Sequence, residues 1–134
     1  MKIDEEFSDI SPSKETAVTV GVFDGVHRGH HHLLAELKRE ATAGGRQAAV
    51  VTFRNHPASV LRPDFRPRYL TSTADRVGLI RQAGLDLVVP VTFDLDLSRL
   101  PAADFASVLH GKLKMRQLVV GPDFAMGRNR EGGP

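Results

Sequence analysis

The stretch Val20-Gly21-Val22-Phe23-Asp24-Gly25-Val26-His27-Arg28-Gly29-His30 decides the reading of this chain. An alternating apolar run, Ala17 to Phe23, precedes it and an amphipathic run follows it. That order predicts a strand, a glycine-rich turn and the start of a helix. Gly21, Gly25 and Gly29 carry no Cβ, so the backbone can come close to a ligand there. A helix start offers unpaired N–H groups and the positive end of a dipole, which suit an anion such as phosphate. His27 and His30 stand three apart, so on a helix both project to one side, over the same anion.

Working outward, the segment from Met1 to Thr16 shows no sustained period and is expected to be a loose arm before a domain spanning 17–134. After the histidines, Leu33, Leu34, Leu37 and Ala41 form a helical stripe that Gly44-Gly45 should stop. Ala48 to Phe53 reads as a strand covered on both faces. Pro57, Pro63 and Pro67 make the segment from Pro57 to Tyr69 a loop, punctuated by Arg62, Arg66 and Arg68. Ser72 or Thr73 should cap a helix that buries Val77, Leu79, Ile80 and Ala83 and ends at Gly84. Leu85 to Val91 reads as a third strand. Pro101 opens a helix with the stripe Phe105, Val108, Leu109 and Leu113, and Gln117 to Val120 is a fourth strand. Strands alternating with helices of crossover length predict a doubly wound α/β domain with a parallel sheet. Ligands bind such sheets at the carboxyl ends of the strands.

Bulk properties narrow the function classes. A chain of 134 residues, 41% hydrophobic and 25% charged, is ordinary for one globular domain. A net charge of +2 argues against a polycation, and no nucleic-acid partner is expected. Arginine outnumbers lysine, which suits phosphate oxygens. There is no cysteine, hence no disulfide or thiolate chemistry, and no run long enough to cross a bilayer. The simplest expectation is a cytoplasmic protein without a membrane partner.

The turn His27-Arg28-Gly29-His30 resembles the His-x-Gly-His signature of the nucleotidylyltransferase superfamily. The longer pattern from Gly21 to His30 resembles the adenylyltransferase (FAD synthetase) domain of the bacterial bifunctional riboflavin kinase/FAD synthetases. Thr52-Phe53-Arg54-Asn55-His56-Pro57 is similar to that family's Phe-x-Pro-His-Pro block. Val120-Gly121-Pro122-Asp123-Phe124-Ala125-Met126-Gly127-Arg128 is similar to its Val-Gly-x-Asp/Asn-Phe-x-Phe-Gly block.

The resemblance implies a Rossmann-like fold and transfer of AMP from ATP to FMN, giving FAD and pyrophosphate, with Mg²⁺ on the nucleotide. It implies that His27 and His30 are the catalytic donors to the triphosphate. Gly21, Phe23, Asp24, Gly25 and Gly29 would form the ATP-facing turn, although Phe23 also reads as core and Asp24 as a turn-fixing side chain. His56, Pro57, Asp123, Phe124 and Met126 would lie on the flavin side. Asn55 stands where the family has the first proline of its block, which is expected to loosen the loop. Met126 replaces a phenylalanine, so flavin stacking would be less strict. The family's later Ser-Ser/Thr-x-x-Arg segment and riboflavin kinase barrel are not found in this sequence, and riboflavin kinase activity is not expected of it. Three alternatives stay open: a nucleotide- or flavin-binding module without turnover, a nucleotidylyltransferase with another phosphorylated acceptor, and a transition-metal site on His27 and His31.

Overall fold

A computed structural model describes residues 5–8, 10, 12–23, 28–55, 64 and 72–120. In chain order the elements are β1 (Thr16–Gly21), α1 (Arg28–Ala43), β2 (Gln47–Phe53), α2 (Thr73–Gln82), β3 (Leu87–Val91), α3 (Leu95–Ser98), α4 (Ala102–Leu113) and β4 (Met115–Leu118). The strands form one parallel sheet in the order β3-β2-β1-β4. The chain winds from β1 through β2 to β3, then returns to the other side of β1 as β4. The order therefore reverses between β1 and β4, a switch point of the kind that leaves a crevice at the carboxyl edge. This is the doubly wound α/β fold that the alternation predicts.

Period-two alternation divides the sheet into two layers. Ala17, Ala48, Val50 and Val88 face Leu34, Leu37 and Ala41 of α1 and Ile80 of α2. Val18, Val20, Ala49, Val51, Val89 and Val91 face Leu97 of α3 and Phe105, Leu109 and Leu113 of α4. Each fully buried aliphatic side chain contributes about 1.5–3 kcal/mol relative to exposure. Pro90 sits in β3, an edge strand, where a missing donor is tolerated.

Several boundaries differ from the expectations for physical reasons. β1 stops at Gly21, because Phe23 takes a left-handed φ of 57° that no strand can continue. Ser72 is the α2 cap, its hydroxyl accepting from Asp75 N at 3.1 Å, and Gly84 takes a φ of 94° just beyond the helix end. The buried side chains of α2 are Arg76 and Ile80, whereas Leu79 is exposed. β4 begins two residues earlier than expected, and Val119 N still bonds Val18 O at 2.9 Å. The short α3, capped by Asp94, was not expected. Two residues of the arm expected to be loose are held: Phe7 is buried in the α4-side layer, and the Glu6 carboxylate accepts from Thr92 N at 2.9 Å and 3.1 Å. No helix among the described residues is long and apolar enough to cross a membrane.

Candidate active site

The carboxyl edge of β1 is shaped by one backbone reversal. At Phe23 the positive φ turns the side chain back toward the sheet, at a local cost of roughly 1–2 kcal/mol. The ring is buried in the α1-side layer, 4% exposed, among residues that include Leu34 and Leu37. A Cβ on Gly21 would lie 2.9 Å from Phe23 Cε2, so any other residue there would force the ring to shift. The other side of the ring meets His30 in the first turn of α1, with centroids 5.0 Å apart and planes at 75°. This edge contact is the favoured geometry for aromatic pairs. Gly21, Phe23 and His30 are thus one packed unit, and the His30 ring, half-buried, stands at the rim of the sheet.

A second tie fixes the same turn. The Thr52 hydroxyl donates to Val22 O at 2.7 Å and joins the first block to the second. Thr52 pairs with Gly21 in the β1–β2 register and is fully buried. Sequence reasoning missed this role. The signal was available: a threonine at the end of an otherwise apolar, two-side-buried strand needs an acceptor for its hydroxyl.

β2 leaves the sheet under similar restraint. Asn55 Nδ2 donates to Phe93 O at 2.8 Å while Phe93 N donates to Asn55 Oδ1 at 2.9 Å. Asn55, expected to loosen its loop, is itself held: its carboxamide ties the exit of β2 to the exit of β3, and residues 56–63 lie outside the described residues. Phe53 and Phe93 stack edge to face beside this clasp, with centroids 5.5 Å apart. On the other flank, β4 runs beside β1, and just past its end Val119 N donates to Val18 O at 2.9 Å.

The electrostatics of the rim suit an anion. α1 carries no acidic residue in its first turn, whereas α2, α3 and α4 carry Asp75, Asp96 and Asp104 there. The positive end of the α1 dipole is thus left unneutralised by its own side chains. His31 and His32 are exposed on α1. Among the described residues no three His, Cys, Asp or Glu side chains gather around a common point. The donor set of helix-start amides and an imidazole matches phosphate oxygens rather than a bare cation.

Of the predicted site residues, Gly21, Phe23 and His30 are brought together, and Gly29 lies in the first turn of α1. Asp24, Gly25, His27, His56, Pro57, Asp123, Phe124 and Met126 lie outside the described residues.

Comparison with known proteins follows the same lines. The family model described as FAD synthetase matches residues 9–134. The bifunctional riboflavin kinase/FMN adenylyltransferase of Escherichia coli (strain K12) is 36% identical over 123 residues, covering 91% of this chain and 39% of that protein. The protein of the same name from Listeria monocytogenes is 32% identical over 129 residues, covering 96% of this chain and 40% of its own length. The chain thus spans about two fifths of the length of the curated relatives it matches. A solved structure described as a macrolide-efflux protein from Streptococcus pneumoniae is similar with a TM-score of 0.83, over 94% of this chain and 42% of that one. At 23% identity that likeness speaks for the fold.

Proposed function

The chain belongs to the FAD synthetase family, and we propose that it transfers AMP from ATP to FMN, forming FAD and releasing pyrophosphate. The FMN phosphate is the nucleophile and attacks the α-phosphorus of ATP. One P–O bond forms as the bond to the pyrophosphate oxygen breaks. A phosphate monoester is already ionised near neutral pH, so no strong general base is needed. The protein's work is to position the two phosphates and to neutralise charge on the phosphoryl oxygens.

The observation that carries this reading is the Gly21–Phe23–His30 unit at the switch point, beside an α1 start without a carboxylate in its first turn. His30 donates to the triphosphate from a ring whose plane is set by Phe23, and His27 joins it. The backbone of the turn from Gly21 to Gly29, including Asp24 and Gly25, lies against ATP; the buried Phe23 ring acts by packing. With the nucleotide bound, Mg²⁺ would supply further charge neutralisation at the phosphates that His30 and the turn hold. His56, Pro57, Asp123, Phe124 and Met126 form the flavin side. A cytoplasmic location belongs to the same reading.

The test incubates purified chain with ATP, FMN and Mg²⁺ and follows FAD and pyrophosphate together. Both should appear in equal amounts. ATP binding without pyrophosphate release would favour a binding module instead. Pyrophosphate release with a different phosphorylated acceptor, but not with FMN, would move the reading to another transferase.

A further inference from the structure

Arg76 is the one arginine among the described residues that is fully buried, with 1% of its surface exposed. It precedes Ile80 by one helical turn and so occupies the face of α2 that packs on the sheet. An apolar side chain would suit that face better, because a guanidinium stays charged and is costly to desolvate. Burial of the side chain alone therefore does not account for an arginine here.

What the guanidinium touches does. Arg76 Nη1 donates to the carbonyl oxygen of Phe53 at 2.5 Å. Phe53 is the last residue of β2, and α2 returns antiparallel to the strands, so its first turns stand at the carboxyl edge. The next two residues are tied as well. Arg54 N donates to Val91 O at 2.8 Å, and Asn55 clasps Phe93. Three consecutive residues at a strand exit are thus held by different parts of the fold. The tie at Phe53 is the one that commits a buried charge.

We propose that Arg76 is a positioning residue for the acceptor: it fixes where the chain leaves β2 on its way to His56 and Pro57, and so sets FMN affinity rather than the chemical step. This rests on the reading of His56 and Pro57 as flavin-side residues.

Arg76→Met and Arg76→Lys in the full chain test it by two readouts. In native-state hydrogen exchange, the amides of Arg54 and Phe93 should exchange roughly tenfold faster in Arg76→Met, with Val51 unchanged. In steady-state kinetics, KM for FMN should rise about tenfold in Arg76→Met, while kcat and KM for ATP stay within about threefold. Arg76→Lys keeps a donor and should show a smaller rise, roughly threefold, in KM for FMN alone. Should the methionine variant fail to fold, the lysine variant decides by the same readouts. An unchanged KM for FMN, an equal rise for ATP and FMN, or unchanged exchange at Arg54 and Phe93 would overturn the proposal. If the wild type makes no FAD, the proposed function fails, and the exchange rates still decide whether Arg76 holds the strand exit.

Discussion

The ring of Phe23 stands where a Cβ on Gly21 would have to go, with Cε2 2.9 Å from that position. The same ring meets His30 edge-on. A residue with no side chain therefore sets the orientation of an imidazole nine positions later, through one aromatic ring. The absent Cβ at residue 21 is a packing requirement before it is a matter of ligand access.

Gly21→Ala should overpack this contact and destabilise the chain by about 1–3 kcal/mol in denaturant unfolding. Combining it with Phe23→Leu, which shortens the ring, should recover part of that loss. Additive losses in the double variant would show that the two residues do not share the space.

Phe23→Leu alone should lower stability modestly, by about 1 kcal/mol, since buried volume is largely kept. It should lower the adenylyl transfer rate more than that loss implies, because His30 loses its edge contact. Activity at fixed folded fraction is the measurement. A rate equal to wild type would mean that the ring does not orient His30.

Two buried threonines of the sheet should respond oppositely to the same substitution. Thr52 donates to Val22 O, whereas the Thr19 hydroxyl, also fully buried, has no hydrogen-bond partner among the described residues. Thr52→Val should cost about 1 kcal/mol or more and lower activity, because it unties the turn. Thr19→Val should be neutral or stabilising by up to about 1 kcal/mol, because it removes an unpaired buried polar group. Thermal unfolding of the two variants side by side checks both signs.

Asn55→Ala should leave the Phe93 N–H and carbonyl without their present partner and cost about 1–3 kcal/mol. Asn55→Asp can still accept from Phe93 N but cannot donate to its carbonyl, so it should lie no higher than wild type and show faster exchange around the clasp. Wild-type stability in both variants would remove the clasp from the account of the β2 exit.

Local patterns made most of the scaffold legible. Leu34, Leu37 and Ala41 declared α1, the apolar run from Ala48 declared β2, and Ser72, Gly84 and Pro101 marked helix ends. That β1, β2 and β4 end at one sheet edge followed from alternation alone. What escaped the sequence were features decided by tertiary contact. Phe23 looks like a strand residue, and only the space left by Gly21 shows that it turns back. A charged residue is ordinarily read as surface, so Arg76 was passed over in favour of Leu79. Phe7 and Glu6 carry no period, yet a pocket beside α4 and the Thr92 amide hold them. α3 spans four residues, too short for any period, and only Asp94 as a cap could have marked it.

The most direct measurement is the rate of FAD and pyrophosphate formation from ATP and FMN by wild type and His30→Ala, compared at equal folded fraction. If the imidazole held by Phe23 neutralises charge on the triphosphate, the variant should be slower by more than about tenfold, as expected for loss of one such donor. Equal rates above background in the two proteins would contradict that role for His30.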